Sequence, residues 1–174
     1  MLLGLDVSTS VTGFTVIDES GKLVETFPVI MKNEKRFFKK CARIKDTLTV
    51  LAERYDIKLV YIEEPFTFFK SGGSSAKTMA KLQSFNGIVS WICLEMFGIE
   101  PVHISSAKAR STLGIKIPRG SNTKKLILDH VLDKEPCFEV EYTRHGNPKQ
   151  HYYDMADSWV IAKAGYSIWK KQTS

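Results

Sequence analysis

Apolar and polar positions divide the chain into short strand-like runs and longer helical ones. Residues 2–7 (Leu2 to Val7) are apolar apart from Gly4 and Asp6, the pattern of a buried strand, and Ser8, Thr9 and Ser10 stop it with turn chemistry. Gly13 to Ile17 and Leu23 to Ile30 are two further strand-like runs. The polar residues and glycine of Asp18-Glu19-Ser20-Gly21 suit a hairpin-like connection between them, so the chain is expected to open as a three-strand meander. From Glu34 to about Tyr55 the spacing turns helical, with Phe38, Ala42, Lys45, Leu48 and Leu51 three or four apart. A strand follows from Lys58 to Glu64, and Pro65 ends it because proline cannot donate to a sheet ladder.

Phe66 to Ser75 hold three phenylalanines, Lys70 and Gly72-Gly73, a composition that predicts a mobile loop with an unusually apolar tip. The next helix, roughly Ser75 to Phe97, sets Leu82, Phe85, Val89, Ile92 and Met96 at 3-4-3-4 spacing. Such a stripe suits packing within the core, and part of it can instead form a seam between two copies. Pro101 to Ile104 reads as a short strand. A basic helix or loop region follows it, then an amphipathic helix from Thr123 to Leu132 and a last helix from near Tyr153 to about Lys171. No repeat, low-complexity tract or dividing linker interrupts residues 1–174, so a single domain is expected. Alternating strands and helices after a meander predict an α/β domain with a mixed sheet.

Composition adds bounds. With 174 residues and 43% hydrophobic composition the chain is long enough for one compact core. No run approaches the roughly 18 apolar residues of a membrane span, and the N-terminus lacks signal-peptide character, so a cytoplasmic protein without membrane partners is expected. Cys41, Cys93 and Cys137 are odd in number and far apart, which predicts reduced, structural thiols rather than disulfides or a zinc site. A net charge of +6 suits a polyanionic partner. Lys35, Arg36, Lys39, Lys40, Arg43 and Lys45 crowd one segment; Lys108, Arg110, Lys116, Arg119, Lys124 and Lys125 crowd another.

Acids stand where they are costly. Asp6 interrupts an otherwise buried strand, and an ionised side chain there needs a compensating charge. Glu63 and Glu64 end the Leu59-Val60-Tyr61-Ile62 run, and because alternate side chains face opposite sides, only one of the two can join Asp6. Asp154 and Asp157 are three apart and share one helix face. Acids in a first helical turn also have an ordinary role in complementing the helix dipole. Carboxylates gathered without a cation repel, and a divalent ion resolves this. Acid-only clusters suit magnesium or manganese and phosphoryl chemistry. No Gly-rich phosphate loop, nucleophile elbow or Cys/His set competes with that reading. His151, three residues before Asp154, is a solvated loop histidine or a neighbour of the site.

In order and spacing these residues resemble the RuvC family of Holliday junction resolvases, particularly its small viral and bacteriophage-like members, over most of the chain. The markers are Gly4-Leu5-Asp6-Val7-Ser8 with Thr12-Gly13, then Tyr61-Ile62-Glu63, then Asp154-Met155-Ala156-Asp157-Ser158. The resemblance implies a ribonuclease H-like fold of the retroviral integrase superfamily, with a mixed central sheet flanked by helices. It implies two magnesium ions per active site, replaceable by manganese, held by Asp6, Glu63, Asp154 and Asp157, and it selects Glu63 over Glu64. It implies a homodimer joined largely through the 75–97 helix, each subunit nicking one strand of a four-way junction, with flaps and forks as further branched substrates. The family's wedging aromatic corresponds to Phe66, with Phe68, Phe69 and Lys70 as neighbours, and such a ring can stack on an unpaired base for about 1–3 kcal/mol. Lys108 and Lys124 match basic positions facing phosphates near the cut, with Arg119 and Lys125 assisting. The chain departs from bacterial members in carrying Val7-Ser8 for Pro-Gly, and Glu64 for glutamine, which leaves any sequence preference at the cut open. The rival readings are a non-catalytic branched-DNA-binding module of the same fold and a phosphotransferase of the actin and sugar-kinase class. The latter needs a second lobe for which this chain is too short.

Overall fold

The computed structural model describes residues 1–65 and 76–173. In chain order the elements are β1 (Leu2–Asp6), β2 (Val11–Ile17), β3 (Leu23–Ile30), α1 (Phe37–Arg54), β4 (Leu59–Glu63), α2 (Ala76–Phe97), β5 (Val102–Ile104), α3 (Ser106–Thr112), α4 (Thr123–Lys134) and α5 (His151–Thr173). The strands form one sheet in the order β3-β2-β1-β4-β5. The first three pair antiparallel as a meander, while β1–β4 and β4–β5 are parallel, so the sheet is mixed.

Alternation along β1 decides which side of the sheet each residue serves. Leu3, Leu5 and Val7 enter one core with Ile44 and Leu48 of α1 and Phe85 and Val89 of α2. Leu2 faces the other core, where α5 lies on the sheet with α3 and α4 packed behind it. Cys41 and Cys93 are buried in the first core, Cys137 is exposed, and all three thiols are free. Among the described residues, no helix is long and apolar enough to cross a membrane.

The seat of α5 on the sheet is unusually close. A Cβ on Gly4 would lie 2.6 Å from Ala162, and one on Gly13 would lie 2.1 Å from the Asp154 carbonyl oxygen. Side-chain-free strand positions therefore let the helix backbone touch the sheet, and buried Thr15 and Ser158 join hydroxyls across the contact at 2.8 Å. Gly13→Ala is expected to cost about 3 kcal/mol, the upper range for overpacking, because the obstacle is backbone rather than a movable side chain. Urea unfolding would measure it, and an unchanged midpoint would refute the packing account. At the other end, α4 is tied to α5 through Glu135, whose carboxylate accepts from Trp159 Nε1 at 3.0 Å and pairs with Lys163 at 2.7 Å.

Several boundaries differ from expectation for local reasons. Strand β2 begins at Val11, because the Ser8 hydroxyl closes a tight turn by accepting from the Ser10 and Val11 amides. Helix α1 begins at Phe37 because Glu34 accepts from the Arg36 amide and side chain in a preceding turn. Its inward stripe is Cys41, Ile44, Leu48 and Leu51, whereas Phe38 is 76% exposed. Ala42 and Lys45 also face out. Phe37 takes the inward place instead and meets Phe85 edge-on at 5.7 Å. The α2 stripe is spent in the core, with Phe85, Val89 and Ile92 buried alongside Asn86 and Cys93.

Candidate active site

Parallel pairing brings Gly4 beside Tyr61 and Leu5 beside Ile62, so the ends of β1 and β4 carry Asp6 and Glu63 side by side. Both lie on the sheet face covered by α5, by the same alternation that puts Leu2 and Tyr61 in that core. Glu64 points the other way and is exposed. Helix α5 starts at His151, and its contact with Gly13 pins the Asp154 backbone against β2. One helical turn carries Asp154 and Asp157 on a shared face toward the strand ends.

Electrostatics register this gathering. Enclosure raises the Asp6 pKa well above its ordinary value, and the charges of Glu63, Asp157 and Asp154 push it further. Burial, then the charge of Glu63, lifts Asp157 to about 7. Burial also raises Asp154 and Glu63, against the opposing pull of Lys124 on the first and of Ser106 and Arg110 on the second. The side chain of Asp6 lies close enough to Glu63 to oppose part of that rise. Lys124 pairs with Asp154 at 3.5 Å. Burial acts to lower the Lys124 ammonium, but the charges of Asp154, Asp157 and Asp6 outweigh it and hold the pKa above its ordinary value.

The second rank of the site was less visible in the sequence. Ser106 hydrogen-bonds the Glu63 carboxylate, and Arg110, four residues on and so on the same face of α3, acts on both Glu63 and Asp157. Arg110 stood out only as one of a basic cluster, and its four-residue spacing from Ser106 was the usable signal. Asn86 donates to the Glu63 carbonyl at 3.0 Å and meets His103 Nε2 at 3.0 Å through its side-chain oxygen. A buried asparagine in the apolar stripe of α2 marked it. Lys32 acts on Asp154 from the β3–α1 connection, with no motif to announce it.

The other candidates are placed as follows. His151 lies against the Tyr152 ring, 4.4 Å between centroids, close enough to act on Asp154. Lys108 is exposed on the side of α3 turned away from Ser106 and Arg110. Arg119 precedes α4 and Lys125 lies on it, both exposed, and no described contact joins either to the acids. Phe66, Phe68, Phe69 and Lys70 lie outside the described residues.

Among the described residues, no group of three or more His, Cys, Asp or Glu side chains already stands at ion-holding spacing. The carboxyls are near enough to raise one another's pKa but are not drawn to one point. Their fit to a hard divalent cation therefore rests on the donor set, which is all oxygen and mutually repulsive.

No protein-family model and no curated protein sequence matches the chain. Solved structures do. RuvC of T. thermophilus in complex with a Holliday junction substrate superposes with a TM-score of 0.73 at 16% identity, covering 99% of this chain and 96% of that one. A second T. thermophilus RuvC structure gives 0.68 at 17% identity, again over 99% and 96%. The yeast mitochondrial Holliday junction resolvase Ydc2 gives 0.59 at 15% identity, over 98% of this chain and 79% of that one. The fold is ribonuclease H-like, with a mixed five-stranded sheet flanked by helices.

Proposed function

We propose that the chain is a structure-selective endonuclease that resolves Holliday junctions and related branched DNA by divalent-metal-dependent phosphodiester hydrolysis. The observation that carries this reading is the meeting of Asp6, Glu63, Asp154 and Asp157 from β1, β4 and α5 at one end of the sheet, in a fold shared with junction resolvases. These four carboxylates would hold magnesium or manganese, two ions per site. When bound, such ions polarise a phosphodiester and make water more acidic.

The chain's own groups divide the remaining work. Lys124, paired with Asp154, offers an ammonium for a non-bridging phosphate oxygen beside the acids. Arg110 supplies a second fixed positive charge near Glu63 and Asp157. The Ser106 hydroxyl orients the Glu63 carboxylate while Asn86 holds the backbone of the same residue, so the strand end is fixed from two sides. Lys108, Arg119 and Lys125 would meet phosphates farther along the duplex, and Phe66, Phe68, Phe69 and Lys70 would meet the branch point.

Two symmetric nicks require two sites, and the outer face of α2 suits a second copy of the chain. Ala80, Ser84, Gly87, Trp91 and Leu94 recur at helical spacing opposite the buried stripe; Trp91 is 58% exposed, Leu94 is 45% exposed and a Cβ on Gly87 would meet nothing. Small residues permit close helix approach, and a central tryptophan is typical of interface cores. Trp91→Glu with Leu94→Glu is expected to convert a dimer to a monomer in sedimentation at micromolar concentration with little loss of melting temperature. A wild-type monomer at that concentration would remove the dimer from the proposal.

Incubation with a synthetic four-way junction in magnesium or manganese, with products mapped on a sequencing gel, tests the whole reading. Paired nicks on opposing strands are expected. A non-catalytic binding module of the same fold is favoured by one fact, that the carboxyls do not converge on a single point. Binding without turnover in either ion would establish that alternative.

A further inference from the structure

A groove of about 440 Å³ opens between the β1–β2 turn and the start of α2, lined by Ser8, Thr9, Ser10, Lys77, Thr78, Lys81 and Leu82. Among the described residues no carboxylate lines it, as none lines the cavity beside Trp159, whereas the cavities beside Tyr55, Leu59 and Val29 each include at least one acid. Beneath it lies Lys40, only 6% exposed, whose ammonium donates to the Thr9 carbonyl. Burial first, and then the nearby charge of Lys81, hold Lys40 below its ordinary pKa, so positive charge is crowded here. The acid that Lys40 does feel, Glu34, is already taken by Arg36 at 3.2 Å. Among the described residues no ion pair engages Lys77 or Lys81.

We infer that this groove binds a second backbone phosphate of the DNA, on the strand that crosses the end of the sheet beside the acid cluster. The inference rests on the nuclease reading and adds a subsite to it. Ser8 is two residues beyond Asp6, at most about 7 Å along an extended chain, so neighbouring phosphates of one strand can serve both places. The ammonium groups of Lys77 and Lys81 suit a phosphate, and they read no base, while the Ser8 hydroxyl and the Ser10 amide are held within the turn itself. A strand held on both sides of the β1–β2 turn is fixed in register over the acids.

The test uses the full chain in EDTA, with Lys77→Ala/Lys81→Ala compared with wild type on a labelled four-way junction. The double variant is expected to lower the slope of log affinity against log salt by about 1 and to weaken binding roughly tenfold. Its melting temperature should match wild type, and Lys77→Arg/Lys81→Arg should restore the slope. Junctions carrying one neutral methylphosphonate linkage at a time then locate the contact. Wild type should lose affinity at a linkage beside the cut, and the double variant should lose nothing further there while remaining sensitive elsewhere. An unchanged salt slope, or equal sensitivity of both proteins at every linkage, would overturn the inference. So would inorganic phosphate shifting the Lys77 and Lys81 resonances while no linkage near the cut matters, which would mark a free-phosphate site. If wild type bound no branched DNA, the nuclease reading would fail first. If Asp157→Asn bound but did not cut while the double variant matched wild type, the groove alone would be discarded.

Discussion

Replacing Asp6 or Asp157 with asparagine is expected to slow nicking of a four-way junction by about a thousandfold or more, equivalent to about 4 kcal/mol of lost transition-state stabilisation, while junction binding persists. Asparagine keeps the shape and one oxygen but removes the negative charge, so the change tests the charge and not the packing. Asp6 should be the more damaging, since Glu63, Asp157 and Asp154 all act on it. Binding should survive because, in the proposed function, affinity would come from lysines and arginines that these substitutions leave in place. Single-turnover cleavage and anisotropy on the same preparations separate the two effects. Robust cutting by both variants would defeat the proposed mechanism.

The same carboxyls make metal-free stability depend on pH in an unusual direction. For Asp6, Glu63, Asp154 and Asp157 the folded pKa lies above the unfolded value, so above about pH 4 the folded state holds more protons than the unfolded one. Their contribution to stability is therefore fully present below the unfolded values and is lost as pH rises through the folded ones, about 7 for Asp157. Exposed acids with lowered pKa, such as Glu34 and Asp18, oppose this trend only weakly. Without metal, the protein should melt higher at pH 5.5 than at pH 8. Asp157→Asn should add about 2 kcal/mol at pH 8 and flatten the profile. Magnesium or manganese at a hundredfold excess over Kd should stabilise wild type at pH 8 by about 2.7 kcal/mol, with much less effect on Asp6→Asn. A wild-type melting temperature indifferent to both ions would exclude the carboxylates as their site, whatever the cleavage assay showed.

Much of this arrangement was legible in advance because burial and charge conflict visibly in one dimension. Asp6 inside an apolar run, and Asp154 and Asp157 on one face of an apolar helix, announce groups that need a reason. Strand parity left Glu63 and Glu64 equivalent until the register beside β1 was known, since alternation states that two residues diverge but not which one faces α5. Helical phase was harder. Phe37 and Phe38 fit the period of α1 almost equally, and the approach of Phe85 from α2 decided between them. Ser106 carried no visible signal, Asn86 only that of a polar residue in the apolar stripe of α2, and Arg110 only that of a basic cluster, because their roles are made by contacts across elements. The glycines in the opening motif proved informative for a spatial reason: Gly4 and Gly13 are the places where α5 touches the sheet.

That contact joins the opening strands of the chain to its last helix, with 140 residues between Gly13 and Asp154. Such long-range closure is slow, and it cannot begin on a ribosome until residues 151–165 have been synthesised and have emerged. A nascent chain would thus expose the strand-end acids Asp6 and Glu63 without their helical partners. Under the proposed nuclease activity, strand cleavage would arrive in a single step late in translation, and a fragment ending before α5 would keep the basic residues of the earlier elements without the two helical acids.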